Sequence, residues 1–144
     1  MADEQGQPRP PHRTERAVEI RVAARLENLA VVRTLVAAVA AFEDLDFDVV
    51  ADLRLAVDEA CTALIRAAVP DSSLQLTVDP GDETVVITAA TTCTGAGVVE
   101  PGSFSWHVLS SLTDEVKTFN NGDGPDTGHV FGITLTTRRA SLLR

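Results

Sequence analysis

Apolar and polar residues alternate at the start of the ordered-looking sequence. In "AVEIRVAA", Val18, Ile20 and Val22 are apolar while Glu19 and Arg21 are charged, the period of a half-buried strand. In "RLENLAVVRTLVAAVAAF" the spacing changes, and Leu29, Val32, Leu35, Val36 and Val39 fall on one side of a first amphipathic helix. "EDLDFD" interrupts it and offers Asp46 or Asp48 as the N-cap of a second helix. That helix is predicted from about Val49 to Ala68, with an apolar stripe of Val50, Leu53, Val57, Ala60, Cys61, Leu64 and Ala68, and Pro70 and Asp71 stop it. "LQLTVDPGDETVVITAA" predicts two alternating strands around the turn "DPGDE". "TTCTGAGVVEPG" reads as a loop, and "SFSWHVLSSL" as a short third helix with Ser103 or Ser105 near its cap. "EVKTFNNGDGPDTGHVFGITLTTRR" predicts two last strands around a turn from Asn120 to Gly128.

The order β-α-α-β-β-α-β-β points to an α+β fold, a mostly antiparallel sheet covered on one face by helices. A length of 144 residues suits one domain. Met1 to Arg16 is rich in Pro, Gln and charge and buries too little apolar surface to order, so a disordered tail is expected at 1–16 and a single domain over 17–140.

Composition removes several function classes. A formal net charge of −9 opposes sequence-independent nucleic-acid binding, which needs a cationic surface. Lys117 is the one lysine, so no P-loop can be present. Cys61 and Cys93 are too few for a disulfide scaffold, and Cys61 falls on the apolar helix side as a small core residue. No apolar run reaches the length of a membrane helix, and the N-terminus lacks the apolar centre of a signal peptide, so a cytoplasmic protein with no membrane partner is expected. His12, His107 and His129 stand apart from one another, which offers no zinc spacing.

The candidate chemistry sits in "LRLAVDEACTALIRAA", where Asp58 and Glu59 interrupt an apolar helix. At 100° per residue, Asp52, Glu59, Ala63 and Arg66 share a narrow stripe beside the buried one. Glu59 there can act as a general base at a cleft, or pair with Arg66, or belong to the charged flank of an ordinary amphipathic helix. Spacing by itself favours the last of these.

The same stretch resembles the N-box of the GHKL ATPase superfamily, in particular the anti-sigma-factor serine kinases. "VEIRVAARLENLAVVRTLVAAVA" resembles that family's opening strand and first helix, "LTDEV" its segment after the third helix, and "GITLT" a strand near its end. The resemblance covers about Ala17 to Arg138. It implies a GHKL fold (Bergerat type) and a homodimer that sequesters a stress-type alternative sigma factor of the sigma-F kind. It also implies release by competing anti-anti-sigma proteins of the STAS type. By resemblance Glu59 stands at the catalytic glutamate, Thr134 beside the nucleotide base, and Gly102, Ser103 and Ser105 in the glycine-rich phosphate box. Arg33 stands on the surface shared by sigma factor and antagonist. An ATP-dependent serine kinase acting on the antagonist is the alternative activity.

Three positions depart from the family pattern. Ala63 stands where an asparagine holds Mg²⁺, and a methyl group cannot coordinate a metal. "TAATTCTGAG" lacks the acid that meets the adenine amino group. "GSFSW" replaces glycines with Ser103 and Ser105. ATP and Mg²⁺ binding are therefore expected to be weakened or lost, with the partner-binding elements retained.

Overall fold

The computed structural model describes residues 13–95, 98–121 and 128–139. Its strands are β1 (Val18–Ala23), β2 (Ser73–Pro80), β3 (Thr84–Cys93), β4 (Glu115–Asn121) and β5 (His129–Arg138). Its helices are α1 (Leu29–Phe42), α2 (Phe47–Ala67) and α3 (Phe104–Leu112). The strands form one sheet in the order β1-β2-β3-β5-β4, and every neighbouring pair is antiparallel.

Alternation decides which face is covered. Along β3 every second residue is buried, from Val85 through Ile87 and Ala89 to Cys93, so one face of the strand meets the helices. Leu74, Leu76 and Val78 of β2 and Phe131, Ile133 and Leu135 of β5 join the same core. Val32 and Val36 of α1, Leu53, Val57, Ala60, Cys61 and Leu64 of α2, and Leu109 of α3 close over it. The other sheet face carries Thr88 opposite Thr134, and Lys117 opposite Thr134 on the far side. There the Phe119 ring lies over Gly132 so closely that a Cβ at that glycine would stand 2.0 Å from the ring tip.

The sequence reading is extended at several points. β3 runs three residues past the expected Ala90, because Thr91, Thr92 and Cys93 continue the ladder with β5, and β-branched threonines suit a pleated surface. α2 begins at Phe47 with Asp46 at the N-cap, two residues before the expected start. Ala56 and Ile65 are buried beyond the expected stripe, because α2 packs against both α1 and α3. The turn expected between the last strands falls on 122–127, outside the described residues.

The α1–α2 turn is fixed by conformation and by charge. Asp44 has φ 53°, a left-handed residue closing α1, and Asp tolerates that region better than most side chains. Glu43 turns inward, its side chain only 9% exposed, and holds Arg139 at 3.0 Å and Arg16 at 3.4 Å. Arg139 also donates to the Gly81 and Glu43 carbonyls, so one ion-pair network joins the end of α1, the β2–β3 turn and the end of β5. Arg13 to Arg16, assigned by composition to the disordered tail, are held here: Arg16 donates to the Pro80 carbonyl, and the Thr14 N–H and hydroxyl both donate to Asp79. Buried Asp79 supplies what composition cannot show, a long-range acceptor for the tail. Residues 1–12 lie outside the described residues. Among the described residues, no helix is long and apolar enough to cross a membrane.

Candidate functional site

α2 and α3 meet around Glu59. Gly102 has φ +89°, a conformation that favours glycine. It leads into Ser103, whose side chain caps α3 by accepting from the Trp106 N–H at 3.2 Å. This entry turns Ser105 toward α2, and its hydroxyl donates to Glu59 Oε2 at 2.7 Å. The structure thus brings Ser105 to Glu59, with Gly102 and Ser103 in the turn that leads into α3. The Glu59–Arg66 pairing that spacing allowed does not form: Arg66 is exposed and has no ion pair among the described residues.

Thr134 is not part of this group. It pairs with Thr88 across β3 and β5, the two hydroxyls 3.5 Å apart. By strand alternation it lies on the face away from the helices, while its neighbour Ile133 takes the helix-facing place in the core. A one-residue step along a strand exchanges faces, so the hydroxyl assigned to a nucleotide base sits on the opposite side of the sheet from Glu59.

Arg33 is not a free helix charge. Its guanidinium grips Asp58 with two bonds, Nε to Oδ1 at 2.8 Å and Nη2 to Oδ2 at 3.0 Å. This fork ties α1 to α2 and raises the Arg33 pKa further, first through the hydrogen bond and then through the Asp58 charge. Beside it a groove of about 470 Å³ runs between α2 and α3, lined by Leu55, Asp58, Glu59, Thr62, Val108, Ser111 and Leu112.

Ala63, one turn beyond Glu59, offers no ligand atom. Ser105 takes one of the two carboxylate oxygens of Glu59. In the segment before α3, Val99 is 2% exposed in the core and Val98 packs against the core, as Trp106 does within α3. Among the described residues, no group of three or more His, Cys, Asp or Glu side chains is placed to hold a metal.

The two thiols are structural. Burial, and secondarily the Asp58 charge, pushes the Cys61 thiol up to about 12, which makes it a poor nucleophile. Burial also raises Cys93, whose Sγ lies 3.7 Å from Nε2 of His129 on the paired strand. His129 therefore has a sulfur neighbour that spacing did not reveal, though two groups do not make a zinc site.

Sequence reasoning missed two roles. Asp58 is the partner of Arg33, 25 residues away, and no local spacing marks that pair. Ser105 is the partner of Glu59, 46 residues away. The one available signal was the serine in place of the family's glycine at the entry to a helix.

Residues 22–138 match the family model described as Histidine kinase-like ATPase domain. Across its whole length the chain is 60% identical to the protein named Anti-sigma-F factor RsbW of Mycobacterium tuberculosis strain CDC 1551 / Oshkosh, of which it covers 86%. The same identity and coverage hold for the protein of that name from strain ATCC 25618 / H37Rv.

Proposed function

The chain belongs to the Histidine kinase-like ATPase domain family, and from that premise we propose that it is an anti-sigma factor. It binds and sequesters an alternative sigma factor of the sigma-F type in the cytoplasm, as a homodimer, and STAS-type anti-anti-sigma proteins displace it. The observation that carries this reading is the 60% identity, from end to end, to proteins named for that activity. The site geometry agrees with a binding protein. Release by a competitor is mutually exclusive binding and needs no phosphoryl transfer. The donor set around Glu59 opposes the kinase alternative, since phosphoryl transfer depends on metal positioning and charge neutralisation.

Arg33 is the proposed anchor for the partner, because guanidinium groups are frequent interface anchors. Its fork to Asp58 holds the side chain in one orientation before contact. The test is the affinity of the purified protein for a sigma-F-type factor, titrated with and without Mg–ATP. Tight binding that ignores nucleotide is expected. Arg33→Ala should lose that binding, whereas Asp58→Asn, which removes the fork but keeps the cation, should weaken it less. Absence of binding to any sigma factor overturns the proposal. Transfer of labelled phosphate to a STAS protein, lost in Glu59→Ala, would replace it with the kinase.

A further inference from the structure

A second cleft lies away from Glu59. It measures about 340 Å³ and runs between the start of α2, the end of α3 and the end of β5. Asp46, Asp48 and Asp52 line it from α2, Asp114 from the segment after α3, and Thr137 and Arg138 from β5. Four carboxylates thus face one guanidinium. Arg138 is already engaged with Asp114, at 3.9 Å through its side chain and 2.7 Å through its backbone N–H. Asp48 and Asp52 have no basic partner among the described residues. Acidic residues in a first helical turn favour the helix by its dipole. That accounts for Asp48, but not for Asp52 a turn later.

Thr137 supplies the independent sign of a ligand. It is 6% exposed, and its hydroxyl is the one buried side-chain polar atom among the described residues with no hydrogen-bond partner. The neighbouring hydroxyls are committed: Ser111 donates to the Val108 carbonyl and Thr113 to the Leu109 carbonyl. A buried hydroxyl normally finds a partner, and valine would fill the same volume without one. The oxygen of Thr137 is left without a partner at a cleft in which Asp48 and Asp52 have no basic partner among the described residues, beside the carbonyl end of α3, where a cation is favoured. The carboxylates are not grouped closely enough for a metal ion. They suit a group that spreads several N–H donors over a plane, which a guanidinium does and an ammonium does not.

We propose that this cleft receives the arginine side chain of a protein partner, with Asp48 and Asp52 meeting its charge and the Thr137 hydroxyl accepting one N–H. The inference does not rest on the sigma-factor reading, and its test uses the free protein. Isotope-labelled protein is titrated with the blocked tripeptide acetyl-Gly-Arg-Gly-amide, with its lysine and citrulline counterparts, and with free L-arginine, following backbone amide shifts. Saturable shifts are expected at Asp48, Asp52, Asp114 and Thr137 with the arginine peptide. They should be about tenfold weaker in affinity with lysine and absent with citrulline, from the loss of planar bidentate donors and of charge. Thr137→Val and Asp48→Asn/Asp52→Asn should each weaken the arginine peptide several-fold, with melting temperature unchanged or higher in Thr137→Val because the shape is kept. Equal binding of the lysine peptide, or full affinity in Thr137→Val, would reduce the cleft to a diffuse acidic patch and overturn the assignment. Tighter binding of free arginine than of the blocked peptide would overturn the protein partner.

Discussion

The hydrogen bond from Ser105 to Glu59 can be weighed directly. Ser105→Ala removes the donor and leaves a half-buried carboxylate with no partner among the described residues, where the Ser105 hydroxyl is the one it has. A hydrogen bond to a charged group contributes about 1.5–3 kcal/mol net. Glu59 reaches water on one side, along the α2–α3 groove, which places the loss near the low end, about 1.5 kcal/mol. In the Glu59→Ala background the hydroxyl has no carboxylate to lose, so the same substitution should cost only about 0.3 kcal/mol, the size of an ordinary surface change. The difference is a coupling of about 1 kcal/mol, well above the usual error of additivity. The assay is urea unfolding of the wild type, both single variants and the double variant. The midpoint should move with an unchanged slope, and a loss of 1.5 kcal/mol should lower the melting temperature by roughly 3–6 °C for a chain of this size. Additive costs would refute the reasoning, because they would mean that the 2.7 Å contact carries no energy. Freeing Glu59 in Ser105→Ala should still give no phosphate transfer, since Ala63 remains without a ligand atom.

Two further outcomes follow from the packing. Burial raises the Cys61 thiol to about 12, so the native state holds that proton when the unfolded chain has lost it. Stability from this group is complete below the ordinary thiol value near 8.5 and falls as pH rises toward 12, by about 1.4 kcal/mol per pH unit. The wild type should therefore lose about 2 kcal/mol more than Cys61→Ala between pH 8 and pH 10 in reducing buffer. The chain has no tyrosine and one lysine, so few other groups mask the effect, and parallel pH profiles would count against it. On the open sheet face, Gly132→Ala must displace the Phe119 ring, at a cost of about 1–3 kcal/mol. In a Phe119→Ala background the same change should be neutral or stabilising, as a strand glycine otherwise costs backbone entropy. A loss that persists without the ring would refute this.

The layers of the fold were legible wherever burial is periodic. β3 alternates without a break, and α1 and α2 carry apolar stripes with their polar sides in water, so pattern alone assigned each to its place. The ends were less legible: β3 outran its expected limit because threonines continue a ladder as well as valines do. The site was legible in part. Glu59 and Ser105 were both singled out, yet the bond between them was not, because nothing in a linear pattern says which turn of α3 faces which turn of α2. Thr134 was assigned to a nucleotide by a strand resemblance in which a step of one residue reverses the face. The residues of the tail were expected to be solvated, and the partners that hold them, Asp79 for Thr14 and Glu43 for Arg16, were visible only once the chain was folded.

Asp58 and Glu59 posed a choice between catalytic carboxylates and the solvated edge of a helix, and the structure supports a third role. Adjacent residues on a helix point 100° apart, and α2 lies between α1 and α3. Asp58 therefore reaches Arg33 on one neighbour while Glu59 reaches Ser105 on the other. Each carboxylate fixes a flanking helix, and α2, packed below on β3 and β5, becomes the element to which both are tied. This alters the weight of Glu59 as a sign of chemistry. A glutamate that anchors α3 has a structural reason to be present, so its presence does not argue for phosphoryl transfer. Ala63 is the more informative residue. A methyl group on the same stripe, one turn on, contributes neither a ligand nor a tether, so this position gives no support to a metal on that side of α2. The fork on the other side has the opposite character. Asp58 is half-exposed and so is Arg33, so a partner that offers its own carboxylate can compete for the guanidinium without unfolding either helix. That exchange is the kind of contact from which binding by one partner and displacement by another can be built.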